Sequence, residues 1–174
     1  RLGLGFHVGR FFDKVLDIRR CYLQREPSNA IRLFIREYAV RNSLEFYDIR
    51  ENRGYLRNMF IRTTEDGQLM LIICFAREEK ETREKMLKAI LEAFPEITSL
   101  YYVINTKMND SISDQECILW HGSDVIVETM EGLKFRIGPK STAPRHTSST
   151  RRQGISLPSP ATRWSTTCTR APEP

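Results

Sequence analysis

Hydrophobic and polar positions change period several times along this chain, and each change marks an element. "LGLGFHV" and "DKVLDI" carry the short apolar pattern of two strands around a turn-like "GRFF". "EPSNAIRLFIREYAVRN" switches to the helical period. Ile31, Phe34, Ile35, Tyr38 and Ala39 share one face, and Pro27 and Ser28 suit the first turn or cap. Strands resume with "LEFYDIRE" and "YLRNMFIRTT", and "TTEDGQ" turns the chain into the unbroken apolar run "LMLIICFA". A second amphipathic helix, "REEKETREKMLKAILEAF", points Met86, Leu87, Ile90, Leu91 and Phe94 at the core and stops at Pro95. "ITSLYYVIN" is the next strand. After the polar loop "TKMNDSISDQE", the segments "CILWHG", "DVIVETM" and "LKFRIG" predict a meander with turns at Gly122-Ser123 and Glu131-Gly132. This order predicts an α+β fold: an antiparallel or mixed sheet with two amphipathic helices.

The periodic pattern stops at Ser141. Residues 142–174 are Ser, Thr, Pro and Arg without a hydrophobic period, too poor in apolar surface to order themselves, so a disordered tail is expected there. The chain thus divides into a domain at 1–141 and an appendage at 142–174. The net charge of +5 follows the same division: five arginines (Arg145, Arg151, Arg152, Arg163, Arg170) and only Glu173 fall in the tail. The body keeps 22 basic against 21 acidic residues, so the basic balance belongs to the tail and does not by itself argue for a nucleic-acid partner of the body.

Candidate chemistry in the body is sparse. There is no Walker loop, GxGxxG or HExxH. His7 and His121 lie far apart on strand-like segments and read as structural or solvated. The four cysteines (Cys21, Cys74, Cys117, Cys168) share no close spacing, and Cys74 reads as a small buried hydrophobe in its apolar run. Tyr101 and Tyr102 point to opposite sides of one strand, and core packing accounts for them better than base stacking. Arg10, Lys14, Arg19 and Arg20 cluster near the two short strands, and Arg57 and Arg62 share a later one. These six are candidate RNA contacts. A solvated edge and a phosphate-contacting surface both remain open for them.

The stretches "LGFHVGRFFDKVLDIRRCYLQ", "MFIRTTEDGQLMLIICF", "FPEITSLYYVINTKMNDSISDQE" and "VETMEGLKFRIGPKS", in that order and spacing, resemble the central portion of the S-adenosylmethionine-dependent RNA (uracil-5-)methyltransferases that modify 23S ribosomal RNA. The resemblance covers essentially all of 1–141. It implies a TRAM domain before this segment and the methyltransferase domain after it. In such an enzyme a cysteine thiolate adds to C6 of a flipped uridine, and a methyl group passes from S-adenosylmethionine to C5. The residues for those steps belong to the following domain, and Cys168 matches none of them. Some members hold a 4Fe-4S cluster on three upstream cysteines and a fourth in a segment like "DIRRC", a position that Cys21 matches. The resemblance therefore implies a fragment with neither cofactor nor cluster stably bound and without methyl transfer of its own.

The tail fits that reading if it is out of frame. Read one base earlier with permitted codons, "ATRWSTTCTRAPEP" can encode a strand running into the Asp-Leu-Tyr-Thr-Gly-Thr-Gly cofactor loop of the family. The resemblance implies ribosomal RNA as partner; cysteines without close spacing and no signal-peptide-like segment predict a reduced, cytoplasmic setting, and a monomer is expected. No apolar run reaches membrane-spanning length. From the residues alone, a stand-alone RNA-binding or adaptor module with a basic tail stands as the alternative.

Overall fold

The computed structural model describes residues 2–7, 15–22, 24–141 and 164–170. Strands β1 (Leu2–His7) and β2 (Val15–Leu16) precede helix α1 (Ser28–Arg41). Strands β3 (Leu56–Thr63) and β4 (Leu69–Phe75), helix α2 (Lys80–Ala93) and strand β5 (Ser99–Ile104) follow. Strands β6 (Ile118–Gly122), β7 (Ile126–Met130), β8 (Leu133–Ile137) and β9 (Trp164–Arg170) complete the described elements. Seven strands form one mixed sheet in the order β2-β1-β9-β3-β4-β5-β6, and β7 and β8 pair separately as a hairpin. All of these pairings are antiparallel except β4 with β5, which α2 joins as a crossover. The α+β architecture read from the sequence is the one observed.

The run "LMLIICF" is unbroken because both faces of β4 are covered. Leu69, Leu71, Ile73 and Phe75 pack under the helices with Ile31, Ile35, Ala39, Met86, Leu87 and Ile90. Met70, Ile72 and Cys74 face the other way, against Phe60 of β3, Ile112 of the loop after β5, and Ile126 and Ile137 of the β7–β8 hairpin. Tyr102 joins the helix-side core and Tyr101 the opposite one, where its hydroxyl donates to Asp124 O at 2.8 Å. Both rings are spent on packing.

Two expectations meet a different outcome. Residues 44–51 form no ladder strand, only isolated bridges from Phe46 to Leu56 and from Asp48 to Arg53. The Asp48 carboxylate explains this: it accepts from the backbone N–H groups of Arg50 (2.9 Å) and Glu51 (3.2 Å), curling the chain into a turn. The expected three-strand meander also breaks after β6. Gly122, at φ +82°, lies against the Thr98 carbonyl, and Ser123 N donates to that oxygen at 2.9 Å, so the chain leaves the sheet. The β7–β8 hairpin then docks on the β3–β4 turn, with Val127 N donating to Gln68 Oε1 and Glu65 N to the Glu128 carboxylate. Within 142–174, Trp164–Arg170 is β9, antiparallel to both β1 and β3. Its "STTCT" core favours extended backbone. The rest of 142–174 lies outside the described residues.

Candidate nucleic-acid interface

Two of the six arginine and lysine candidates, Arg10 and Lys14, lie outside the described residues. The other four divide into an exposed pair and a buried pair.

Arg19 and Arg20 are exposed on the segment between β2 and α1, which two buried side chains of α1 hold in place. Asn29 grips Cys21 on both sides of its peptide: Oδ1 accepts from Cys21 N at 2.8 Å and Nδ2 donates to Cys21 O at 3.1 Å. Arg32, fully buried, donates to Leu4 O (3.4 Å), Arg19 O (3.1 Å) and Ile18 O. Burial pulls the Arg32 pKa down, and the Asp17 carboxylate pushes it back up. Asp17 is itself paired with Arg36 at 2.8 Å, and Glu26 accepts from Asn29 Nδ2 at 3.0 Å. The nearby carboxylates are thus engaged. Arg19 and Arg20 meet none among the described residues, and Arg20 instead sits 5.0 Å from the centre of the Tyr22 ring. Cys21 is 8% exposed, and among the described residues no three His, Cys, Asp or Glu side chains come together as a metal site. One buried thiol does not fit a cluster by itself, and no described residue is matched to S-adenosylmethionine.

Arg57 and Arg62 must be corrected as RNA contacts, because both turn inwards. Opposite β4, Leu56 faces Phe75 and Asn58 faces Cys74, so Arg57 is the extra residue of a β-bulge. Its side chain is fully buried. The guanidinium donates to Asn105 O (2.9 Å), Lys107 O, Asn109 O (3.1 Å) and Asp110 Oδ1 (3.1 Å), and lies 4.1 Å from the Tyr47 ring centre. Arg57 therefore ties down the loop after β5. Arg62, 9% exposed, donates to Gly138 O at 2.6 Å and secures the end of β8.

Beside Arg57 is a cleft of about 250 Å³ at the carboxyl ends of the parallel pair β4 and β5, lined among others by Asn52, Arg53, Arg77 and Thr106. Arg77 is committed to Glu45, Glu79 and the Gly54 carbonyl, and its hydrogen bond to Glu79 holds its pKa above the ordinary value. Arg53 is exposed and meets no carboxylate among the described residues, so it is the available cation of this cleft. Arg53 carries no separate sign in the sequence, because its neighbourhood is assembled from three distant segments. The adjacency of cation and aromatic in "RRCY" was the one local sign of the other patch.

A scan against protein-family models finds no match. The chain is 54% identical over 143 residues to an uncharacterized RNA methyltransferase of Porphyromonas gingivalis, a match covering 81% of this chain and 31% of that protein. A Bacteroides thetaiotaomicron protein of the same description is 46% identical over 141 residues, covering 79% of this chain and 31% of its own length. Among solved structures, the chain is similar to the Pyrococcus abyssi tRNA (uracil-54, C5)-methyltransferase in complex with S-adenosyl-L-homocysteine. That likeness has a TM-score of 0.62 at 20% identity, over 80% of this chain and 33% of that one, and it establishes the fold. Among the described residues no helix is long and apolar enough to cross a membrane. The chain spans about 31% of the length of the curated relatives it matches, and over that span it is similar to proteins described as RNA methyltransferases.

Proposed function

We propose that this chain is the central, RNA-positioning part of an S-adenosylmethionine-dependent RNA (uracil-5-)methyltransferase acting on 23S ribosomal RNA. The intact enzyme would methylate C5 of a uridine, and Cys21 would be the fourth ligand of its 4Fe-4S cluster. The observation that carries this reading is the 54% identity to an RNA methyltransferase over most of the chain. The likeness to a uracil C5 methyltransferase crystallised with S-adenosyl-L-homocysteine supports the reaction and the cofactor. In this reading the chain acts as a cytoplasmic monomer, touches RNA through exposed cations such as Arg19 and Arg20, and transfers no methyl group itself. Residues 142–174 are then the out-of-frame remnant of the cofactor-binding domain, and β9 is compatible with this because strand pairing reads backbone rather than side chains.

The test supplies methyl-labelled S-adenosylmethionine and titrates ribosomal RNA. The expected result is no label in RNA and weak binding, Kd on the order of 10⁻⁴ to 10⁻⁶ M, that weakens steeply with salt. Tight binding that survives high salt and removal of 142–174 would instead favour a stand-alone RNA-binding module. The nucleotide sequence tests the tail directly. If the codons for Ser165 to Pro174 cannot encode the glycine loop in the other frame, the out-of-frame reading falls.

A further inference from the structure

The segment Asp17–Tyr22 is held far more firmly than an exposed connection needs. Buried Asn29 fixes both polar groups of the Cys21 backbone, and buried Arg32 holds the carbonyls of Ile18 and Arg19. Such a mount fixes the direction in which the next side chain leaves the surface. That side chain is Tyr22, 83% exposed, the most exposed of the large hydrophobic side chains among the described residues. The Arg20 guanidinium sits 5.0 Å from its ring centre, and neither Arg20 nor Arg19 meets a carboxylate among the described residues. An aromatic face on a rigid support, beside cations left without counter-charges, has the makings of a single-strand binding site. The ring stacks on a base, which has a π-face whatever its identity, while the guanidiniums neutralise the flanking phosphates.

We propose that Tyr22 is a stacking platform for one unpaired base of the RNA, with Arg20 ordering the ring and Arg19 and Arg20 meeting the adjoining phosphates. The inference rests on the RNA-positioning reading above and deepens it: the substrate element met here is single-stranded, and it is held by its base as well as its backbone. Asp17 is withdrawn from competition by Arg36, and Glu26 by its hydrogen bond from Asn29. The patch therefore presents positive charge to a polyanion.

The experiment uses the full chain and two fluorescent probes, a single-stranded oligouridylate and an abasic ribose–phosphate oligomer of the same length. Tyr22→Ala should weaken oligouridylate binding by about five- to a hundredfold, leave abasic binding unchanged and leave the salt dependence unchanged. Tyr22→Phe should bind like the parent chain, because it keeps the ring. Arg19→Gln should weaken both probes and reduce the salt slope by about 0.7. If Tyr22→Ala binds oligouridylate as tightly as the parent, the platform is refuted while the RNA-positioning reading stands. That is also the outcome expected if Tyr22 docks a protein segment. Equal losses on both probes refute stacking as well. If the parent chain binds neither probe nor ribosomal RNA, both readings fall.

Discussion

Replacing Arg57 by Met separates a buried tether from an RNA contact. Met keeps most of the apolar stem and removes the guanidinium. Three backbone carbonyls and the Asp110 carboxylate then lose their donor, and Tyr47 loses the cation on its ring. Hydrogen bonds to a charged group contribute about 1.5–3 kcal/mol each, but four on one guanidinium are not additive. Breaking a buried ion pair on one side costs about 3–5 kcal/mol, which is the expected loss here. A body of roughly 140 ordered residues has an unfolding entropy of about 0.3 kcal/mol per degree, so the melting temperature should fall by about 10–17 °C. Urea denaturation followed by circular dichroism and tryptophan fluorescence gives the free energy directly. Arg57→Lys restores the charge without the planar fork, and should recover less than half of the loss. A variant within about 1 kcal/mol of the parent in stability, yet impaired in RNA binding, would refute the tether and return Arg57 to the RNA-facing surface.

Two other predictions follow from local geometry and from burial. A Cβ at Gly122 would lie 2.1 Å from the Thr98 carbonyl oxygen, at φ +82°, so Gly122→Val should cost about 3 kcal/mol or more. An unchanged thermal melt would mean that the turn after β6 can open freely. Burial raises the pKa of the Cys74 thiol and of the Tyr55 and Tyr101 hydroxyls, with nearby acids adding to the effect for the two tyrosines. Their ordinary values are 9.0 for Cys and 10.0 for Tyr, so the unfolded chain sheds these protons first. Stability should therefore be intact below pH 9 and fall as pH rises above it, by about 1.4 kcal/mol per pH unit for each such group. Urea midpoints measured from about pH 8 to 11 check this, and a flat profile would contradict it.

Much of the fold was legible because its signals are local. The helical faces of α1 and α2 and the two-sided burial of β4 can be read from period alone, as can the opposite orientations of Tyr101 and Tyr102. What was not legible depends on distant partners. The fate of 44–51 was decided by one Asp48 carboxylate capturing two amides, although its apolar content reads as a strand. Arg57 finds its oxygens 48 to 53 residues away, after a bulge that alternation cannot reveal. The exit of β7 and β8 from the sheet turns on the close approach of Gly122 to Thr98, again across a long separation. In the candidate interface, "RRCY" is visible as letters, but its rigidity comes from Asn29 and Arg32 on the next helix.

The Arg57 tether also says what kind of information positions the loop after β5. Three of its four acceptors are main-chain carbonyls, of Asn105, Lys107 and Asn109. A carbonyl is the same on every residue, so the guanidinium registers the path and length of the chain rather than its side chains. Thr106, Lys107 and Met108, all exposed, are specified here by their number more than by their identity.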